Sequence, residues 1–548
     1  MPDDESSTSN VADSQVAETA TEPMAPIFED EPAQAPVRLR EIVAVLLVVL
    51  LADVTVYRGE GFAGLALLFA VAPLLLLVGA YRPALGKSTW ITGLLLVALA
   101  VRLVWCGAEL QVAAGFVLLV AFAMSLSGLC PYILEIGVFA SQAVVSGYVA
   151  LTHYSRSIGR TSPAVSKRSS LNYVLPLLAF LLFGGLFVLA NPDLLKSLGE
   201  TFERALTAVR AWITEYVPKP LEIGFWILVF WVTLGLLRPV IRIALVPSPE
   251  RAKQRGTPAS GPRIETFLYA PYRNTLLTVI VLFAAYLAFE FSTLWFRSFE
   301  PGFYYSGYAH QGAAWLTVAL ALATVVLSVV FRGRVLRDPR LPKLRRLAWL
   351  WSLENMILAV SVYNRLGIYI GFNGMSPMRI VGIYGMTAVV IGFLLVLIKI
   401  ARQHDFGWLI RRHLWALALM VYLFAITPVD WIVVRYNVAR ILTGDPAPVV
   451  QLSVRPISSE GVLELTPLLE CDNANIREGI AAMLAARERE AEALSAKRKS
   501  EGWTAHQFAD ERALSGLREG AEQWNAYTDV SKRLTTLEEF REYAYQWY

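Results

Sequence analysis

A carboxylate or guanidinium set inside a long apolar run is costly, so it faces a protein interior or a water-filled space and marks a candidate site. Asp53, Arg102, Glu290 and Arg365 stand out in this way. Glu354, Ser361 and Arg365 fall in one run, seven and four residues apart, so on a helix they share a face that cannot favour lipid. Glu354 and Arg365 stand about 16 Å apart along that helix, too far to pair. Each needs a partner from another run, and Glu290 is the expected mate of Arg365. Three uses of such a face stay open: a structural ion pair, a solute or proton pathway, and a lipid-headgroup site.

A second group sits where runs end. The segment YNRLGIYIGFNGMSPMR, Tyr363 to Arg379, closes one helix, turns through Asn373 and Gly374, and opens the next after Pro377. Asn and Gly tolerate positive φ, and Pro suits a first helical turn. Asn373 and Arg379 therefore belong either to a rigid hairpin or to a binding rim. Tyr304, Tyr305, Tyr308 and His310 read as an interfacial aromatic belt. His310 has no neighbouring His or Cys ligand, which favours a hydrogen-bonded ring over a metal site. Asp430, Arg435, Asn437 and Arg440 mark the exit from the last run, as an interfacial salt bridge or a substrate-anchoring patch.

No tight acid pair, no GxxxxGK[ST] loop and no metal-ligand spacing accompanies these residues. No catalytic residue, cofactor or metal is therefore expected, and the reading leans away from an enzyme. The three cysteines, Cys106, Cys130 and Cys471, are too scattered for a disulfide framework and are expected to be buried and inert.

The elements that must position these groups follow from hydropathy. A mean hydropathy of +0.49 with 17% charged residues is too apolar for a chain facing water on all sides. Repeated apolar runs of about 17 to 25 residues match the bilayer core and require internally bonded helices. The runs lie at 41–57, 62–79, 88–105, 111–127, 171–190, 221–245, 274–296, 310–331, 346–369, 377–400 and 412–434. The expected fold is all-α, a polytopic transmembrane helix bundle of about eleven spans, with interfacial helices and a small helical extramembrane C-terminal domain. The stretch 131–151 is ambiguous, being apolar but striped with Glu135, Ser141, Gln142 and Ser146.

Charge distribution sets the expected topology. Residues 1–37 hold nine acidic and no basic residues, so they read as a disordered tail. Basic clusters fall at Arg82 and Lys87, at Arg156 to Arg168, between Arg238 and Arg273, at Arg332 to Arg346, and at Lys399 to Arg412. If every basic loop is cytoplasmic, the spans alternate correctly only when 131–151 lies at the interface. The amino terminus is then cytoplasmic and the C-terminal domain extracytoplasmic. Basic residues thus report topology, and no nucleic acid is expected as a partner.

Residues 38–442 form the expected transmembrane domain and 443–548 the expected soluble domain, with 18 acidic against 12 basic residues. An amphipathic surface helix is expected over 195–216, a helix starting at Asn475, and a capping box at Thr536 and Glu539.

The segments LADVTVYRGEGFAGLALL (51–68), LPLLAFLLFGGLFVLANP (175–192), YAHQGAAWL (308–316), SVYNRLGIYIGFNGMSPMR (361–379) and RYNVARIL (435–442) resemble a family of bacterial polytopic membrane proteins. That family is defined as a domain of unknown function, of the four-one-five-three or four-one-seven-three type. WNAY at 524–527 is similar to a tail feature of the same family. The resemblance implies a protein of the bacterial cytoplasmic membrane and cell envelope, and carries no ligand or catalytic residue.

Three function classes remain. The first is a non-enzymatic envelope sensor, scaffold or regulatory partner, embedded in the lipid bilayer and contacting another envelope protein through its C-terminal domain. The others are a secondary transporter of a small solute and a membrane enzyme acting on lipid-linked substrates.

Overall fold

In hydrocarbon every backbone N–H and C=O must bond within its own segment, and the described apolar runs of this chain meet that demand as helices. The computed structural model describes residues 37–161, 218–239, 265–295, 305–331, 333–402 and 404–547, and no strand occurs among them. Among the described residues eight helices are long and apolar enough to cross a membrane. Their outer faces carry exposed side chains such as Trp90, Leu94, Val281 and Leu282, which a bundle in water would bury. The fold is the expected all-α membrane bundle. The run 171–190 and the helix expected over 195–216 lie outside the described residues, as does the tail before residue 37.

Helices α1 (Leu39–Ala52), α2 (Phe62–Gly79), α3 (Lys87–Cys106) and α4 (Glu109–Leu126) alternate in direction. So do α6 (Pro220–Leu237), α7 (Tyr269–Glu290), α8 (Tyr305–Val330), α9 (Leu341–Asn373), α10 (Pro377–Arg402) and α11 (Phe406–Ile426), with α5 (Ile133–Thr161) between the two sets. One end of the bundle collects the described basic residues that flank the helices, among them Arg40, Arg82, Arg340 and Lys399. There Arg40 donates to the Ala80 carbonyl at 3.0 Å, the Ala84 amide to the Leu126 carbonyl at 2.9 Å, and the Lys399 ammonium to the Phe331 carbonyl at 3.4 Å. The opposite end is covered by the C-terminal helices, and we term the two the basic end and the roofed end.

The ambiguous stretch is a helix, α5, and by length and composition Ile133–Thr152 qualifies as a span. Its contacts tie it to α11 and α6. Glu135, in its first turn, accepts from Arg411 near the start of α11 at 2.5 Å. Tyr154, nineteen residues later, lies under the Arg238 guanidinium at 5.3 Å, at the C-terminal end of α6. Between these anchors Ala143 packs on Gly235 and Gly147 on Trp231, and Leu151 lines a cavity with Trp226 and Ile227 of α6. The polar stripe turns inward, with Glu135, Gln142 and Ser146 buried and Ser141 exposed.

Two ascending helices share a feature the apolar pattern hides. α1 runs into a π-helical turn at Asp53–Tyr57, and α7 into one at Phe291–Trp295. Such turns insert one residue into the helical ladder and recur at functional sites. Here each sits beside a buried carboxylate, Asp53 in the first and Glu290 just before the second.

The last expected run, 412–434, is two helices. α11 stops at Ile426 and α12 (Val429–Leu442) starts after Thr427 and Pro428, because proline cannot donate to the ladder. Beyond it come α13 (Val449–Ser453), a 3-10 segment (Val462–Glu470), α14 (Ala474–Glu501), α15 (Phe508–Glu519) and α16 (Val530–Tyr545). One apolar cluster unites Val434, Val438 and Ile441 of α12 with Leu465, Ile480 and Phe540.

Two expected starts are displaced. α14 is capped by Asn473, whose side chain accepts from the Ile476 amide, so Asn475 lies inside the helix. α16 is capped by Asp529 accepting from Ser531 and Lys532, which leaves Thr536 and Glu539 in its interior. In both cases an earlier Asn or Asp satisfies the free amides first.

The roof is keyed into the bundle rather than loosely appended. Gln507 donates to the Leu103 carbonyl at 2.9 Å and accepts from the Gly107 amide at 2.5 Å. Thr504 accepts from the Glu60 amide at 3.2 Å. A side chain at Gly61 would place its Cβ 2.4 Å from the Ala505 Cα, so only glycine allows the approach.

Candidate functional site

The buried charges resolve into pairs. Arg365 Nε donates to Glu290 Oε1 at 2.7 Å, and its Nη2 donates to Oε2. Ser361 donates to Glu290 Oε1 at 2.8 Å and Tyr286 to Oε2 at 3.0 Å. Trp295, in the π-helical turn, donates to the Ser361 hydroxyl at 3.2 Å. The expected pair thus forms, and Ser361 joins it because the shared face of α9 meets α7. The carboxylate receives bonds on both oxygens, the condition under which a buried ion pair is tolerated.

Glu354 does not join them. It is half-buried, and its Oε2 has no hydrogen-bond partner among the described residues. Asp53 accepts from Trp226 Nε1 at 2.8 Å and pairs with Arg58 at 3.0 Å, and Arg58 also bonds Glu222 at 2.5 Å. Arg102 lies at the roofed end, where it grips Glu460 through two bonds at 2.7 and 2.8 Å. The six candidates of the bundle interior therefore occupy four separate places.

The rim residues are better grouped. Asn437 on α12 accepts from the Met375 amide at 2.6 Å and donates to the Met375 carbonyl at 2.8 Å. This clamps the α9–α10 hairpin, whose turn is made by Gly374 at φ +81°. Asn373 donates to the Trp547 carbonyl at 2.7 Å, tying the same hairpin to the roof. Asp430 accepts from the Ser458 amide at 3.0 Å. Tyr308 and His310 fall in the first turns of α8, but their side chains lie outside the described residues.

Arg379 differs from every other buried arginine named so far. It is 5% exposed, bonds the Gly374 carbonyl, and stacks over the Tyr369 ring at 3.8 Å. Among the described residues no carboxylate bonds or pairs with it, and its Nε has no partner. It borders a cavity of about 600 Å³ between α8, α9 and α10, under α13 and Arg455.

Several structural charges escaped the sequence reading. Glu41 and Arg238 form a buried pair with bonds of 2.5 and 2.8 Å, and Glu135 and Arg411 form another at 2.5 Å. Glu222 and Glu460 were likewise unassigned. These groups sit at run ends, where a charge looks like ordinary interfacial chemistry. Among the described residues no cluster of three His, Cys, Asp or Glu could hold a metal ion. The cysteines form no disulfide; Cys130 is exposed and Cys106 and Cys471 are half-buried, against the expectation that all three would be buried.

No curated protein and no solved structure matches this chain. A family model described as "Domain of unknown function (DUF4153)" matches residues 42–466. The expected resemblance is therefore a membership: this integral membrane protein belongs to the DUF4153 family.

Proposed function

We propose that this protein is a non-enzymatic scaffold or regulatory partner of the bacterial cytoplasmic membrane that presents its C-terminal helices to another envelope protein. The observation that carries this reading is the roof. Residues 443–547 are held on the bundle by Arg102–Glu460, by Gln507 and by the bond from Asn373 to the Trp547 carbonyl. On α16 they still expose Val530, Leu534 and Tyr545. A rigidly mounted helical surface with exposed apolar residues suits protein contact.

The reading places the amino terminus in the cytoplasm and the roof outside. The basic loops support it, because they gather at the end opposite the roof. The eleven-span count takes ten described helices, leaves α5 at the interface, and adds the run 171–190 from outside the described residues. A transporter is less favoured. Its intramembrane charges must exchange partners, whereas both oxygens of Glu290 are already engaged. A lipid-linked enzyme would require a pair of acid and base groups around an accessible reacting atom, which the paired carboxylates do not supply.

The test is a photo-crosslinker at Leu534 in the full chain in native membranes. A single discrete adduct, lost when Leu534 and Val530 are replaced by Lys, is expected. Glu290-dependent solute flux in liposomes, or turnover of a lipid-linked donor, would replace this reading with transport or catalysis. Orientation has its own check in a cysteine-free background: Ser500→Cys should react with an impermeant thiol reagent from outside, and Lys343→Cys, exposed at the basic end, should not.

A further inference from the structure

We propose that the cavity bordered by Arg379 is a binding site for an anionic amphiphile, with a phosphate-type headgroup between Arg379 and Arg455 and one hydrocarbon chain along α10. The inference is independent of whether the roof binds a protein.

The charge imbalance is the first ground. The guanidiniums of Arg238, Arg365 and Arg411 each meet a carboxylate. Arg379 is as deeply buried, yet among the described residues no acidic side chain lines its cavity. Arg455, half-buried on the same wall, has no ion pair among the described residues. A buried guanidinium is stable when paired, and two arginines facing one space supply the forked donors that an oxyanion takes. Ser376, Thr317 and Gln451 border the same space and add hydroxyl and amide groups.

The shape is the second ground. Gly382 and Gly385 line the cavity, and a Cβ built on either would meet no atom within 4 Å. A slot therefore runs along α10 beneath the headgroup position. Its walls include Leu366, Val381 and Met386. Val381 and Met378 are also exposed on the flank of the bundle, so the slot opens sideways toward lipid. A free phosphate would share the headgroup chemistry but leave the apolar slot empty. The volume of about 600 Å³ lies within the range of small-molecule sites.

The full-length protein in nanodiscs of phosphatidylcholine containing a minority of phosphatidylglycerol supplies the test, with retained lipid counted by native mass spectrometry. Selective retention of phosphatidylglycerol is expected. Arg455→Gln should weaken it by about tenfold, the loss of one charge-assisted contact. Gly385→Trp, which fills the slot and leaves both arginines, should weaken it to a similar extent. Inorganic phosphate is the second probe and should fail to displace the lipid. Displacement by phosphate, with phosphate binding intact in Gly385→Trp, would assign the site to a free anion and overturn the amphiphile. Equal retention of both lipids by the unaltered protein, or undiminished retention by a folded Arg455→Gln protein, would overturn the site itself.

Discussion

Asn437 bonds both main-chain groups of Met375, accepting from its N–H at 2.6 Å and donating to its C=O at 2.8 Å. A side-chain amide that mimics a strand partner in this way fixes the hairpin from which Arg379 and Asn373 project. The candidate rim therefore depends on a residue outside the lining of the cavity that Arg379 borders.

Asn437→Ala should leave two half-buried main-chain groups of Met375 unpaired and cost about 2–4 kcal/mol. Gly374→Ala should act in the same direction, because its Cβ would lie 2.5 Å from Asn437 Oδ1 at a φ of +81°. Unfolding of the purified protein by titration with a denaturing detergent measures both. An unchanged midpoint in both variants would show that the clamp is not a support.

Glu290→Gln or Arg365→Met alone should cost about 3–5 kcal/mol, since each leaves a buried charge without its counterpart. Replacing both with apolar residues should recover much of the loss. Exchanging the two charges should recover little, because Ser361 and Tyr286 donate toward position 290 and would confront a cation there. Expression and detergent-unfolding midpoints of the four variants decide the order.

Glu354→Gln should be neutral or slightly stabilising. Its buried Oε2 has no bond to lose, and a neutral amide is easier to hold within a bundle. A large loss of stability would show that Glu354 has a partner that the Glu290 network does not provide.

Acid should loosen the basic end. Bonds from Arg340, and from the Thr266 amide and hydroxyl, hold the Asp338 carboxyl well below the usual range against the opposing effect of burial. A carboxyl with a depressed folded pKa contributes stability that is present above its unfolded value, about 3.9. That contribution declines as pH falls from there toward the folded value. Asp338→Asn should remove this acid-dependent part of the unfolding midpoint and leave the rest of the profile in place.

Much of the architecture was readable from hydropathy. The run at 62–79 is α2 to the residue, and the runs at 88–105 and 377–400 match α3 and α10 within two residues. The Glu290–Arg365 pair was also readable, because two charges in apolar surroundings advertise each other. The π-helical turns at Asp53 and Phe291 were not, since one inserted residue hardly alters an apolar run. Nor were Glu41–Arg238 and Glu135–Arg411, whose partners are separated by 197 and 276 residues and lie near helix ends. Arg379 was named as a rim candidate from the turn chemistry around it, but its charge environment depends on what the tertiary fold brings near it.

The grip of Glu460 on Arg102 joins residues 358 positions apart. A ribosome adding roughly 5–20 residues per second delivers that glutamate on the order of 20–70 s after the arginine. During this interval α3 holds an uncompensated cation near the boundary of the bilayer, with water or lipid phosphate as its provisional counter-ion. Assembly of this protein therefore has an order: the α1–α4 bundle must insert while one of its charges is still on loan, and arrival of the roof completes it.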